Sequence, residues 1–330
     1  MSPGEKRFDI IRLKRLSHVA IGVRDLERQT EFYVKMWGLE VVERTPQHLY
    51  FRAVGSHHHV FELATHHRGL HHVSFEVADD DELDRSVEIL RRQSIPIILG
   101  PEGGVEPGVG RLLRFRDPER NIIELVSQVS EIEHGYEAKG VKPLSLNHVV
   151  LFAGDLREQQ TFYEKVLGMR VTDTVPDLMT FLRCNPNHHS FGFIALPRRG
   201  LQHAAFDLAG RVELSEAIFH LGDGGFRRVD GPGRHGPGNI LFTYFEDPEK
   251  KNLLELCTEI QQIDETSHQP RAWDAKGALN LWNSFERMGP PERISMAPAF
   301  ARDDLEVVEI CFSIGEAVAR RGSGNRPQWN

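Results

Sequence analysis

Leu16-Ser17-His18-Val19-Ala20-Ile21-Gly22-Val23 returns 130 residues later as Leu146-Asn147-His148-Val149-Val150-Leu151-Phe152. Each stretch is a short apolar run carrying one histidine, and the residues that follow keep step. Phe32-Tyr33 recurs as Phe162-Tyr163, Gly38 as Gly168, and Asp117-Pro118-Glu119 as Asp247-Pro248-Glu249. His18 and His72 reappear as His148 and His203, and Glu124 as Glu255, at offsets of 130, 131 and 131. Spacing kept this closely marks a duplicated structural module.

Within each copy the pattern runs strand, helix, then several strands. Asp25 is a good N-cap for a helix over Leu26–Trp37, closed by Gly38 as its C′ residue. In the second copy Asp155 and Glu158 have capping-box spacing, and Gly168 closes the helix. Second helices are expected over 81–92 and 213–221. Strands are expected at 110–116 and 121–128, then at 239–246 and 252–258. The polar stretch from Glu133 to Pro143 is a joint. It divides the chain into modules at 1–140 and 141–263, an α+β organisation. Residues 264–330 form an extension wrapping the second module, with an amphipathic helix at Asp304–Arg320 that packs on the body or on another subunit. A homo-oligomer is therefore expected, with 321–330 loose.

A chain of 330 residues has room for two compact domains and a tail. Hydrophobic content of 40% with 27% charged residues is that of a globular protein. No apolar run approaches membrane-spanning length, and Met1 to Arg15 lacks the apolar core of a signal peptide. A cytoplasmic location is expected. A net charge of −8 argues against nucleic acid and anionic membranes as partners. Cys184, Cys257 and Cys311 have no metal-ligand spacing and read as reduced thiols.

The repeated residues suggest chemistry. On period-two geometry Leu146, His148 and Val150 share one strand face, His203 shares one with Ala205, and Glu255 with Leu253 and Cys257. A glutamate facing inward among apolar side chains carries a large desolvation cost unless a cation or donor meets it. Two neutral imidazoles and a carboxylate can occupy one face of an octahedral metal, leaving positions open, the arrangement of non-haem Fe(II) oxygenases. His148, His203 and Glu255 are the candidate ligands. Met179, Phe181, Phe191 and Phe193 either line an aromatic pocket or form core.

The paired modules and triads resemble the vicinal oxygen chelate superfamily, which includes glyoxalase I, bleomycin-resistance proteins and type I extradiol ring-cleavage dioxygenases. Two stretches of the second module resemble the extradiol enzymes in particular. One is Leu182-Arg183-Cys184-Asn185-Pro186-Asn187-His188-His189-Ser190, with His189 fourteen residues before His203. The other is Gly231-Pro232-Gly233-Arg234-His235-Gly236-Pro237-Gly238-Asn239 with Tyr244-Phe245-Glu246-Asp247-Pro248. Thr243 and Lys250-Lys251-Asn252 depart from the usual pattern without touching a proposed ligand. The resemblance implies modules built from paired βαβββ units and Fe(II), or Mn(II), held by His148, His203 and Glu255. It further implies a catechol opened by O2 to a muconic semialdehyde-type product. His189 would be the acid/base, Tyr244 would hydrogen-bond a catechol oxygen, and His235 would orient that network.

The first module keeps His18, His72 and Glu124, with His58 fourteen residues before His72. Val105 stands in the place of His235 and Arg114 in that of Tyr244. Most extradiol enzymes bind iron only in the second module, so this set is expected to be inherited and catalytically idle. His57-His58-His59, His66-His67 and His71-His72 read as surface histidines. The competing functions are a 2-oxo-acid oxygenase of the 4-hydroxyphenylpyruvate type, a glyoxalase-like isomerase, and a ligand-sequestering protein without metal. The first needs no His189, His235 and Tyr244 set, the second usually has glutamates where histidines stand here, and complete triads speak against the third.

Overall fold

The computed structural model describes residues 9–65, 69–133, 135–137, 139–249 and 251–283. The helix expected at Asp304–Arg320, the end from 321, Cys311 and the pair His66-His67 lie outside the described residues.

The first module runs β1 (Leu13–Gly22), α1 (Leu26–Glu31), β2 (Glu40–Arg44), β3 (His48–Arg52), β4 (Phe61–Ala64). A second such unit follows as β5 (Gly69–Val77), α2 (Asp80–Arg92), β6 (Ile97–Gly103), β7 (Val109–Arg116), β8 (Ile122–Val129). The second module repeats this with β9 (Ser145–Ala153), α3 (Leu156–Lys165), β10 (Arg170–Val175), β11 (Met179–Arg183), β12 (Phe191–Ala195). Its other half is β13 (Leu201–Asp207), α4 (Arg211–Asp223), β14 (Arg228–Arg234), β15 (Leu241–Glu246), β16 (Leu253–Thr258). After it come β17 (Arg271–Ala272), α5 (Ala275–Leu279) and β18 (Trp282–Asn283). The fold is α+β, two tandem modules of paired βαβββ units. The sheets have the orders β2-β3-β4-β1-β5-β8-β7-β6 and β17-β10-β11-β12-β9-β13-β16-β15-β14-β18. Of the segment after the second module, the described β17 and β18 add a short strand to each edge of its sheet. No helix among the described residues is long and apolar enough to cross a membrane.

Caps behave as the sequence suggests. Asp25 Oδ1 accepts from Arg28 N at 3.0 Å, and Asp155 Oδ1 from Glu158 N at 2.8 Å. Gly38 and Gly168 take φ of +81° and +61°, a region that favours glycine. One expectation needs correction. The helix from Leu26 is α-helical only to Glu31, and Phe32–Met36 is a π-helical turn. That wider turn seats Phe32, Tyr33 and Trp37 together in the core, which a regular 3.6-residue period would splay apart.

Strand alternation sorts the two faces. Val149, Leu151, Ala204, Phe206, Leu254 and Leu256 point into a core shared by both modules, as do Val19, Ile21, Val73 and Phe75. Phe75 meets Phe191 at 5.5 Å and Phe61 meets Phe206 at 5.7 Å between ring centroids, so the modules fuse through these faces. Leu146 does not share the face of His148 as expected. The β9–β13 register shifts between Leu146 and His148, and Leu146 joins the core. A bulge of this kind re-aims one side chain without disturbing the rest of the strand. The same shift lies between Leu16 and His18.

The Asp-Pro-Glu landmarks have a reciprocal task. Glu119 Oε1 accepts from Gly154 N and Asp155 N at 2.8 and 3.2 Å, while Glu249 Oε1 accepts from Arg24 N and Asp25 N at 2.7 and 2.9 Å. Asp117 Oδ2 accepts from Gln159 Nε2 and Tyr163 Oη, and Asp247 Oδ2 from Gln29 Nε2. Each module's late turn therefore holds the first helix of the other.

Candidate metal centre and active site

Three neighbouring strands of the second sheet, β9, β13 and β16, carry His148, His203 and Glu255. Ala205 pairs with His148 across one strand boundary and with Glu255 across the other, and His203 lies two residues from Ala205 on the same strand. His148 Nε2 lies 3.0 Å from His203 Nε2, and Glu255 Oε2 lies 3.4 and 3.1 Å from the two nitrogens. All three residues are buried.

The outer bonds fix which atoms face inward. His148 Nδ1 donates to Asn147 Oδ1 at 2.7 Å, and His203 Nδ1 donates to Gln202 Oε1. Amide oxygens only accept, so both Nδ1 atoms carry the proton and both Nε2 lone pairs converge. Neither oxygen of Glu255 has a hydrogen-bond partner. Burial lowers the pKa of His148 and favours its neutral form. Burial opposes ionisation of Glu255; attraction to the facing His148 and His203 lowers its pKa when those rings carry a proton, and with both Nε2 atoms bare that role falls to a cation. Two acceptor nitrogens and an unpartnered carboxylate in van der Waals contact repel one another unless a cation joins them. The donor set therefore fits a divalent metal.

A cavity of about 160 Å³ opens beside these ligands. Its walls include Val150, Met179, Phe181, Ile194, Leu253 and Leu279, with His189, His235 and Tyr244 at its polar side. Of the four aromatic-pocket candidates, Met179 and Phe181 line it, whereas Phe191 and Phe193 belong to the core.

His189 packs against His148 at 4.4 Å between ring centroids, too far around the ring to be a fourth ligand of the triad. Its tautomer follows from a chain of partners. Asp173 Oδ2 accepts from Trp273 Nε1 at 2.6 Å and from His188 Nε2 at 3.1 Å. Burial would raise the Asp173 pKa, but these bonds outweigh it and keep the carboxylate ionised. Neutral His188 then has a bare Nδ1, which accepts from His189 Nδ1 at 3.0 Å. His189 is left with Nε2 as an acceptor, and burial holds its pKa well below the ordinary value.

His235 is set with equal definition. Its Nδ1 donates to the Leu279 carbonyl at 2.5 Å, and its ring lies flat on Phe242 with centroids 3.6 Å apart. Nε2 must therefore accept, and Tyr244 Oη donates to it at 3.2 Å. All six candidate residues thus gather at one cavity. Sequence reasoning missed the parts that orient them: Asn147, Gln202, Asp173, His188, Trp273 and the Leu279 carbonyl. The first two stand beside their histidines and could have been read. Asp173 and Leu279 come from distant segments and carry no sequence signal.

The first module reproduces the triad and closes it. His18 Nε2 and His72 Nε2 lie 2.9 Å apart, and Glu124 Oε1 is 3.4 and 3.7 Å from them. Two positions differ from expectation. The counterpart of His189 is His59, packed against His18 at 4.4 Å between ring centroids, not His58. The β4–β5 connection (65–68) is one residue shorter than its counterpart at 196–200, so counting back from His72 lands one place early. Likewise Glu106 faces Arg114 at 2.9 Å, where His235 faces Tyr244, while Val105 is exposed. His59 and His72 are buried, not surface histidines; His57, His58 and His71 are partly covered. Burial and the neighbouring Glu106 push the Glu124 carboxyl up to about 7, and burial takes His59 down to about 4.

The profile of the Glyoxalase/Bleomycin resistance protein/Dioxygenase superfamily matches residues 15–125 and again 145–256. Metapyrocatechase 2 of Cupriavidus necator is 26% identical, the match covering 83% of this chain and 88% of that protein. A manganese-dependent 2,3-dihydroxybiphenyl 1,2-dioxygenase of Geobacillus genomosp. 3 is 23% identical, over 79% of this chain and 90% of its own length. Among solved structures, a Mn(II)-bound glyoxalase from Novosphingobium aromaticivorans superposes with a TM-score of 0.77 at 27% identity, covering 82% of this chain and 91% of that one.

Proposed function

The chain belongs to the Glyoxalase/Bleomycin resistance protein/Dioxygenase superfamily, and from that premise we propose that it is a metal-dependent extradiol dioxygenase opening a catecholic ring with O2. The observation that carries this is the second module's cavity, where a two-histidine, one-carboxylate face stands beside a neutral, oriented His189 and the His235–Tyr244 pair. Relatives named as ring-cleaving catechol dioxygenases support it.

His148, His203 and Glu255 would hold Fe(II), or Mn(II) as in one relative, and the metal would supply adjacent open positions for the substrate oxygens and O2. The remaining chemistry falls to the chain. Tyr244 has its proton committed to His235, so its oxygen lone pair can accept a substrate hydroxyl and hold it at the ligands. His189 arrives neutral, with Nε2 able to take a proton from the substrate side and return it when the ring opens. Asp173 and His188 hold that imidazole in one tautomer and favour its charged form in passing. Apolar walls and the segment through Leu279 keep bulk water from the reacting atoms. An apolar cavity near 150 Å³ is about enough for one benzene ring, so single-ring catechols are the substrates of choice at 160 Å³.

The likeness to a glyoxalase favours an isomerase as the second reading. Against it, all three ligands here come from one module, and His189 is built as an oxygen-side acid/base. The deciding experiment is anaerobic reconstitution with Fe(II) or Mn(II), then exposure to O2 with one- and two-ring catechols. Yellow ring-opened product, formed fastest from one-ring catechols, is expected. Absence of product from every catechol with either metal would refute the proposal, and turnover of a glutathione hemithioacetal would favour the isomerase.

A further inference from the structure

The first module holds a cluster that the proposed chemistry leaves unused. His18, His72, Glu106 and Glu124 each turn one ligand atom inward, and these atoms lie within 4.8 Å of one another. We propose that this cluster is a second metal site, a closed four-ligand centre for a divalent transition-metal ion with a structural task.

The internal repeat supplies the yardstick. The His18–His72 rings stand at 5.1 Å and 84°, as do those of His148 and His203. In both modules the two Nε2 atoms meet at hydrogen-bond distance while Nδ1 faces a partner outside the cluster. Ser17 Oγ lies 3.3 Å from His18 Nδ1, and His71 Nδ1 lies 2.7 Å from His72 Nδ1. The geometry that fits the second module for a metal is therefore present twice.

What differs is the fourth donor and the space around it. Glu106 Oε1 lies 3.0 Å from His18 Nε2, and its Oε2 lies 4.0 Å from His72 Nε2. Donors on a tetrahedral ion at a bond length near 2.05 Å are about 3.3 Å apart, and the distances within this cluster bracket that value. Arg114 does not take the ion's place. It binds the outer oxygens, Glu106 Oε2 at 2.9 Å and Glu124 Oε2 at 2.6 Å, and leaves both Oε1 atoms turned to the histidines. Glu124 Oε1 and Glu62 Oε2 are buried without a hydrogen-bond partner. Glu62 has His48 Nδ1 on its Oε1, whereas the buried Glu106 and Glu124 share the one guanidinium of Arg114, which leaves net negative charge at the cluster for a cation to balance.

The same residues make catalysis here implausible on physical grounds. His59 stands where His189 does, but its Nε2 is bonded to Glu106 Oε1 at 2.9 Å, so it presents no lone pair to a substrate. Glu62, beside Ala20 in the ladder as Gly192 is beside Val150, puts a buried carboxylate where the second module has a glycine. Four protein ligands describe a structural centre, whereas catalytic centres keep an open position. The ion would tie β1, β5 and β8 to the β6–β7 connection.

The test is metal stoichiometry on the full chain. Chelator-stripped protein is loaded with Zn(II), freed of excess by gel filtration and assayed for metal, for wild type, Glu255→Gln, Glu124→Gln and the double variant. The expected values are two ions per chain, one, one and none. A wild type with one ion whose Glu255→Gln variant has none would overturn the inference. One ion in both would uphold it and instead defeat the second-module assignment. Co(II) loaded into Glu255→Gln should give the strong visible bands of a four-coordinate ion. Persistence of those bands in the double variant would place the ion elsewhere and overturn the proposal. The Glu255→Gln comparison leaves the first module intact, so it decides even if Glu124→Gln fails to fold.

Discussion

Replacing His189 by phenylalanine should separate oxygen chemistry from metal binding. The new ring fits the space of the old, between His148 at 4.4 Å and Phe181 at 5.2 Å. The fold loses one buried hydrogen bond and strands Nδ1 of His188, at a cost of about 1–3 kcal/mol. That is survivable for domains with typical stabilities of about 5–15 kcal/mol. None of the three ligand atoms is touched, so metal content should match wild type, and catechol should still bind. Turnover should fall by about 10²- to 10⁴-fold, the usual worth of a positioned acid/base, which is about 2.7–5.4 kcal/mol of barrier. Stopped-flow absorbance of product under O2, with metal content measured on the same sample, reads both quantities. Wild-type turnover in a folded, metal-loaded variant would refute the acid/base role. Loss of the metal would make His189 a ligand and refute the geometry.

Glu255→Ala should hold one metal ion fewer per chain than wild type and show no ring cleavage; unchanged metal content would sink the second-module site. His18→Ala should keep turnover within about tenfold, since the cavity with His189, His235 and Tyr244 lies in the other module, and a folded variant slowed beyond about a hundredfold would show the active site to be misplaced. The module contact has its own pH signature. Burial pushes the Asp117 carboxyl up to about 6, against about 3.9 unfolded. Between those values the folded state holds a proton that the unfolded chain has released, so this group's contribution to stability declines as pH rises from about 4 to 6, by up to about 3 kcal/mol. Urea unfolding at pH 4.5 and 7.5 should show wild type losing ground to Asp117→Asn at the higher pH; equal changes in the two proteins would contradict it.

Much was legible in the sequence because the module occurs twice. Recurrence at offsets of 130 and 131 singled out six residues, and period two put them on inward faces. Covalent chain geometry is enough for that. A strand fixes alternation and an Asx cap or C′ glycine fixes a helix end, each within a few bonds of the residue concerned. Chemistry-bearing neighbours such as His189, His235 and Tyr244 were visible through the family resemblance, and the structure brings them to one cavity.

The tertiary structure decided what depends on segments remote in sequence. The bulges that turn His18 and His148 away from Leu16 and Leu146 come from pairing with another strand. The tautomer of His189 is set by Asp173, fifteen residues before His188, and that of His235 by a carbonyl 44 residues away. A one-residue difference between connections made His58 and Val105 stand for His59 and Glu106. Glu106 shows the reason most plainly. Its neighbour Val105 faces solvent, and nothing local tells the two apart. Only when the strands carrying its partners are assembled does its carboxylate meet Arg114 and the imidazoles of His18, His59 and His72, because a buried charge is placed by its partners.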